Sequence, residues 1–391
     1  MRIVVTGQIG LDKKQFLQQT AALAAAQGES LQLYNIGDMM YREAPDVPPG
    51  RILDLPLARL NSLRRAVFRD ILSDAPNHKN VLINTHATFR WKHGLFAAFD
   101  FDQLAAFNAD LYVCLVDNIE TVHGRMLRDH ETEHSLKDLM VWREEEILAT
   151  EILAKANTFA SASPSSASGN WPLTTGHSQF LVLSRGRSTG GPGGALGNRS
   201  TAETLFRLIF RPTMKKVYPS FPMTHIHDLP TTLAEVNAFR ASLAQKFITF
   251  DPGDVDEKLL ADAALAAHKQ GQTQLAVPDM PAPLSIPDLL AILPDIDGQI
   301  YARDFLLVRQ SDMVIAYIPE LPNGKPGLSS GVERELQHAH DHAKDVYVIW
   351  KPKKDPSPFI TQTANKLFPS TEAALAFFDQ KGYFHPHNLF S

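Results

Sequence analysis

Glu335 is the acid whose setting says most about chemistry. It lies a few residues past the small-residue turn Ser329-Ser330-Gly331, within the stretch "DFLLVRQSDMVIAYIPELPNGKPGLSSGVERELQHAHDHAKDVYVIWKP" that runs from Asp304 to Pro352. That stretch reads helix, buried strand, loop, helix, buried strand. A carboxylate at the mouth of an α/β crevice, beside a Ser/Gly turn able to hold a phosphate, suits attack on a sugar's anomeric carbon. An N-glycosidic bond is the leading target. Asp304 precedes Asp312 by eight residues, and Ser329 precedes Glu335 by six. Each acid also has a bland reading. Glu335, beside Glu333 and Arg334, could be one more charge on a solvated helix, and Asp304 could pair with Arg303 or Arg309. Asp312, opening a strand, reads as a turn or capping residue.

A second constellation opens the chain. "TGQIGLDKK" follows a β-branched strand and starts a helix, where backbone N–H groups and a helix N-terminus cradle phosphates. Gly7, Gly10 and Lys13 are the phosphate-binding candidates. Against the G-x-x-x-x-G-K-[ST] pattern, Asp12 stands for the second glycine and Lys14 for the Mg²⁺-binding hydroxyl. Asp12 adds negative charge and a Cβ where backbone should approach closely. No metal site is expected elsewhere. His338 and His342 share a helix face, and His340, His385 and His387 lie near the same end of the chain, without a Glu-bearing zinc motif. Cys114, in "DLYVCLVD", reads as a buried strand thiol.

The elements that must position these residues alternate strand and helix, the pattern of a parallel α/β sheet. A helix is expected from about 13 to 27, a strand in "SLQLYNIGD", and an amphipathic helix over 57–73 with Leu60, Leu63, Val67 and Ile71 on one face. "NVLINTH" and "ADLYVCLVD" read as buried strands, and a long charged helix spans roughly 135–156. Composition then shifts to a Ser/Ala/Pro-rich piece at 160–168 and a Gly-rich, flexible one at 185–200, with the strand "QFLVLSR" between them and the helix "TAETLFRLIF" after. "KKVYPSF" begins a fresh strand, followed by a helix over 231–246 and the strand "FITF". The expectation is two three-layer α/β domains with mainly parallel sheets, 1–211 and 215–391.

At 391 residues two domains are the prior. An apolar share of 44% and a charged share of 21% suit ordinary globular cores, and a net charge of −5 carries no duplex-binding footprint. No nucleic-acid partner is expected. With no N-terminal apolar signal and no apolar run approaching about 18 residues, no membrane association is expected and the location is read as cytoplasmic.

Around the opening turn, "YNIGDMMYREA", "VLINTHATFR" and "ETVHGRMLRDHETEHSLKDL" follow in order. Together these resemble archaeal-type adenylate kinases and related P-loop nucleotide kinases over roughly Met1 to Ala156. The resemblance implies that Asp38 borders an acceptor nucleotide, His86 lies near the phosphates, and Arg125 and Arg128 clamp a transferring phosphoryl. Lys13 would sit on the donor phosphates, with ATP and Mg²⁺ as ligands. The departures at Asp12 and Lys14 bear on phosphoryl transfer, because transition-state charge is neutralised through Mg²⁺. "SSGVERELQHA", with Asp304 and Tyr218, resembles the nucleoside 2-deoxyribosyltransferase superfamily, nearest its deoxynucleoside 5′-monophosphate N-glycosidases, over roughly Lys216 to Pro352. This implies that Glu335 attacks C1′ and that Asp304 holds the sugar or protonates the leaving base. Tyr218 would line the pocket, and Ser329 with the N–H groups of Gly331 and Val332 would receive a 5′-phosphate. No cofactor is needed there. A homo-oligomer is implied, and the partners are nucleotides or nucleosides. The alternatives are a nucleotide sensor without turnover, or an active monophosphate kinase with an inert C-terminal domain.

Overall fold

The computed structural model describes residues 1–130, 134–161, 178–185, 201–278 and 280–384. The Gly-rich piece beyond Arg185, the Ser/Ala/Pro-rich piece beyond Ser161, and His385 and His387 lie outside the described residues. By its internal contacts the chain divides into two compact units, Met1–Leu183 with Ala261–Leu293, and Ser184–Leu260 with Pro294–Ser391.

In the first unit, the β-branched run Ile3-Val4-Val5 makes β1 (Arg2–Thr6), and β2 (Gln32–Asn35) and β3 (Val81–Asn84) follow. A hairpin of β4 (Thr88–Trp91) and β5 (Gly94–Ala97) comes next, then β6 (Leu111–Val116) and β7 (Gln179–Ser184). The sheet order is β2-β3-β1-β6-β7, and β1 is parallel to both its neighbours. Every residue of β6, Cys114 included, is buried. Cover on both faces is what such a continuous apolar run requires. The helix Leu57–Asp74 buries Leu60, Val67 and Ile71 and packs Leu63 at the edge of the same core, so the expected stripe is the one used. Burying each such side chain contributes about 1.5–3 kcal/mol. One expectation needs correction. The second strand stops at Asn35, and Ile36–Glu43, which carries Asp38, is helix. Ile36 and Met40, four apart, are its buried pair, so a helical period takes over where the strand reading had continued.

In the second unit, β8 (Lys216–Ser220) and β9 (Ile248–Thr249) come first. A short antiparallel pair, β10 (Gln274–Leu275) with β11 (Leu284–Ser285), belongs to the first unit's segment. Then come β12 (Met313–Ile318), β13 (Asp345–Trp350) and β14 (Lys366–Phe368). The order β14-β13-β12-β8-β9 is parallel at every pairing. Val217, Phe239, Ile315, Tyr347 and Phe378 meet in its core. The helices Leu293–Gln310 and Ser330–Asp341 flank β12 in sequence and carry Asp304 and Glu335. Among the described residues no helix is long and apolar enough to cross a membrane.

Candidate functional site

The second unit's chain order reverses between β8 and β12, and ligands of open α/β sheets settle at the carboxyl ends of strands at such a point. There β8 presents Tyr218 and Ser220, two residues apart and therefore on one face, both fully buried. The Tyr218 hydroxyl donates to Glu335 Oε1 at 2.9 Å and Ser220 Oγ donates to Oε2 at 2.5 Å. Glu335 is no solvated helix charge. Burial pushes its carboxyl well above the usual range and Asp304 adds to the push, while the Ser220 and Tyr218 hydroxyls act the other way. Burial raises Asp304 too, with Arg303 opposing and Asp256 adding.

Asp304 does not rest on a surface arginine. Its Oδ1 is buried and has no hydrogen-bond partner among the described residues, and Arg303 turns instead to buried Glu257 at 3.4 Å and the Val255 carbonyl at 2.8 Å. Two partly buried carboxyls that feel each other share a proton near neutrality, because the doubly ionised pair is costly. Hydroxyl donors on both Glu335 oxygens favour the charge there. Burial weighs more on Glu335, raised to about 8, than on Asp304, raised to about 6, so near neutrality the shared proton rests on Glu335. The nucleophilic form is the one in which that proton has passed to Asp304, and the hydroxyl donors on Glu335 and the bare Asp304 oxygen lower the cost of that transfer.

Ser329 is the N-cap of the helix Ser330–Asp341, its Oγ accepting from the Val332 N–H at 3.2 Å. Val332 is thus engaged in the cap, and the Ser329 hydroxyl proton is still available to an acceptor. Gly331 is exposed at the same helix end. Ser329 and Glu335 lie about 9 Å apart along the helix axis at 1.5 Å per residue. Asp312 accepts from the Lys216 N–H at 2.8 Å and ties two strand starts, the capping role its position suggests. The His338 and His342 rings lie tilted against each other with centroids 4.1 Å apart, and no group of three metal-ligating side chains occurs among the described residues.

Three contributors went unnoticed in the sequence. Ser220 is one. Arg240 and Asp251 are the others, a buried bidentate pair (2.8 and 2.9 Å) in which Asp251 also accepts from the Gly253 N–H at 2.9 Å. This pair pins the segment "DPGDVDE", which brings Asp256 near Asp304. A Pro-Gly turn among four acids was the available signal.

In the first unit, the turn after β1 needs its glycines. Gly7 has φ +131° and Gly10 φ +85°, and a Cβ at Gly7 would meet the Leu115 carbonyl at 2.7 Å. The buried Glu146 carboxylate accepts from the Gly7 N–H (2.9 Å), the Ala87 and Thr88 N–H groups (2.8 and 2.7 Å) and Thr88 Oγ1 (2.7 Å). Lys13 Nζ donates to the Gly7 carbonyl and stands 3.0 Å from His86 Nδ1, which brings two of the expected residues together. Burial pulls Lys13 down to about 7, with Glu146 opposing. Lys13, Lys14, Asp38 and His86 line a cavity of about 400 Å³, walled by apolar side chains such as Ile36, Met40, Phe89 and Trp91. That volume is in the small-ligand range of about 300–1,000 Å³.

Asp12 adopts the left-handed conformation (φ 46°) and its carboxylate lies 3.1 Å from Arg125 Nε. Arg125 also holds Asp117 at 2.9 Å and the Gly10 carbonyl at 3.1 Å, so one guanidinium is shared by the two carboxylates at the turn. Arg128 is exposed and chelates Asp129 with two bonds of 2.7 Å, and neither arginine lines the cavity. The lysines, the turn and the helix start fit a polyphosphate. The hydroxyl that normally holds Mg²⁺ is replaced by Lys14, paired with Asp38 at 2.7 Å, so the fit to the ion is poor.

A turn of this kind after the central strand of a parallel sheet defines a P-loop kinase-like domain, and the comparisons agree. The profile of the family described as AAA domain matches residues 13–143, within the first unit. The chain is 28% identical over 173 residues to the adenylate kinase of Pyrococcus furiosus, covering 42% of this chain and 82% of that enzyme. The adenylate kinases of Pyrococcus abyssi (28% over 175 residues, 42% and 82% covered) and Pyrococcus horikoshii (28% over 143 residues, 34% and 69% covered) are similar to the same degree.

Proposed function

We propose that this chain is a nucleotide-processing enzyme whose second unit cleaves or transfers the N-glycosidic bond of a nucleoside 5′-phosphate. The observation that carries the reading is Glu335, held through both oxygens by Tyr218 and Ser220 beside the partnerless oxygen of Asp304. Glu335 attacks C1′ to form a glycosyl-enzyme ester, and Asp304 gives its proton to the departing base. Water then releases the sugar 5′-phosphate, or a second base attacks C1′ to give a new nucleotide, and either frees Glu335. The Ser329 hydroxyl and the N-terminal end of its helix receive the 5′-phosphate.

The first unit binds a nucleotide, with Lys13 toward its phosphates and the apolar cavity around its base. It either phosphorylates the substrate or gates the second unit. The second role is favoured by the Arg125 pairings, which keep that guanidinium on Asp12 and Asp117 rather than over a phosphoryl. A sensor without turnover is the competing reading for the whole chain.

Purified protein incubated with nucleosides and their mono- and triphosphates, with and without ATP–Mg²⁺, and analysed by chromatography decides between them. Free base released by the wild type and absent with Glu335→Ala is the expected result. No base under any condition would sink the glycosidase reading, and a new diphosphate in the ATP samples would establish the kinase.

A further inference from the structure

We propose that the first unit binds ATP without a protein-held divalent cation, the Lys14 ammonium meeting the phosphates where the ion would stand. The proposal rests on the reading of this unit as nucleotide-binding and concerns how the phosphate charge is met.

P-loop enzymes hold Mg²⁺ with the hydroxyl after the loop lysine and with a strand-end aspartate. Position 14 is lysine. The strands beside β1 are β3 and β6, so a strand-end acid facing the loop has two places to come from. β3 ends in Asn84, opposite Val5 in register, and its neutral amide donates to Asn35 Oδ1 at 2.9 Å. β6 runs into Asp117, which is 2% exposed and fully engaged. Its Oδ1 accepts from the Asn118 N–H at 2.8 Å and its Oδ2 from Arg125 at 2.9 Å. Asp12, the acid within the loop, also lies against Arg125, at 3.1 Å. The strand-end and loop carboxylates, Asp117 and Asp12, are therefore both engaged by Arg125, and Glu146, at the Gly7 N–H, already accepts four hydrogen bonds.

Positive charge is present instead. Lys13 and Lys14 open a helix of 14 residues with no acid in its first turn, and the helix end adds its own attraction for anions. Lys14 holds Asp38 in a pair whose side chains are 54% and 46% exposed. Such a solvent-screened pair is weak, so Lys14 can exchange Asp38 for a phosphate oxygen. A hydrated dication placed there would meet an ammonium of like charge.

Calorimetric titration of the full chain with ATP, in EDTA and in excess Mg²⁺, tests this. The wild-type Kd should agree within about threefold between the two conditions, well under one tenfold step. Lys14→Thr should lose about tenfold or more in EDTA, and Lys14→Thr with Asn84→Asp should bind about tenfold tighter with Mg²⁺ than without it. Wild-type affinity that falls about tenfold or more in EDTA overturns the proposal while leaving nucleotide binding intact, as does a Lys14→Thr variant that binds like wild type in EDTA. No ATP binding in either condition overturns both the proposal and the nucleotide-binding reading. The wild-type comparison needs no variant to fold.

Discussion

At the scale of single residues, Glu335 and Asp304 are two partly buried carboxyls, and the charge of Asp304 adds to the burial that disfavours ionising Glu335. Because the folded-state pKa of Glu335 is raised, the stability tied to its protonated form is fully present below the ordinary carboxylate range. It is lost as pH climbs through the raised value. Glu335→Gln removes that loss. Its melting temperature should exceed that of the wild type by a margin that grows between about pH 5 and about pH 8, measured by scanning fluorimetry, with base release abolished. A margin that stays flat with pH would mean that the carboxyl titrates normally. Lys13 makes the complementary case. Burial lowers it to about 7, and phosphate beside it would restore its charge. ATP binding slightly above neutral pH should therefore take up protons, visible as a dependence of the calorimetric heat on the buffer's ionisation enthalpy. Equal heats in all buffers would place Lys13 away from the phosphates.

At the scale of elements, each site is a strand end held against a helix. The N-cap serine of the helix Ser330–Asp341 decides what that helix end can receive. Ser329→Asp keeps the cap, since aspartate caps as well as serine, but puts a like charge where the phosphate would lie. Its kcat/KM should shift from nucleotide toward nucleoside, and unchanged preference would remove Ser329 from phosphate recognition. In the first unit, Glu146 on the helix Leu136–Ser161 staples the end of β1 to the start of β4 through four bonds. Glu146→Gln turns an acceptor oxygen into a donor facing N–H groups. Denaturant unfolding should show a loss of about 1.5–3 kcal/mol for each charged hydrogen bond broken, and a loss under about 0.5 kcal/mol would contradict the staple.

At the scale of the whole molecule, two proposed nucleotide sites on one chain raise the question of coupling. If the first unit gates the second, linkage requires reciprocity. ATP that changes the affinity of the Glu335→Gln protein for a nucleoside monophosphate by some factor must itself bind more tightly or weakly by the same factor when the monophosphate is present. Titrations in both orders measure it. Two independent affinities would leave the units as neighbours on a chain, without regulation of one by the other.

What the sequence determined by itself was whatever short-range pattern encodes. Apolar β-branched runs placed β1, β3, β6 and β12, the stripe of Leu60, Val67 and Ile71 placed its helix, and a turn containing glycine before a helix marked both candidate phosphate sites. Such signals repeat every two or three to four residues and need no knowledge of the rest of the chain. Only the tertiary structure decided who stands beside whom. Ser220 and Tyr218 reach Glu335 from more than a hundred positions away, Glu146 reaches Gly7 from a distant helix, and Arg125 neutralises Asp12. The segment "DPGDVDE" has no periodicity to read, and its role depends on the buried Arg240–Asp251 pair. Partners distant in sequence are chosen by strand order and register. The electrostatics of both sites follows from those choices, because burial and neighbouring charge set where the protons lie.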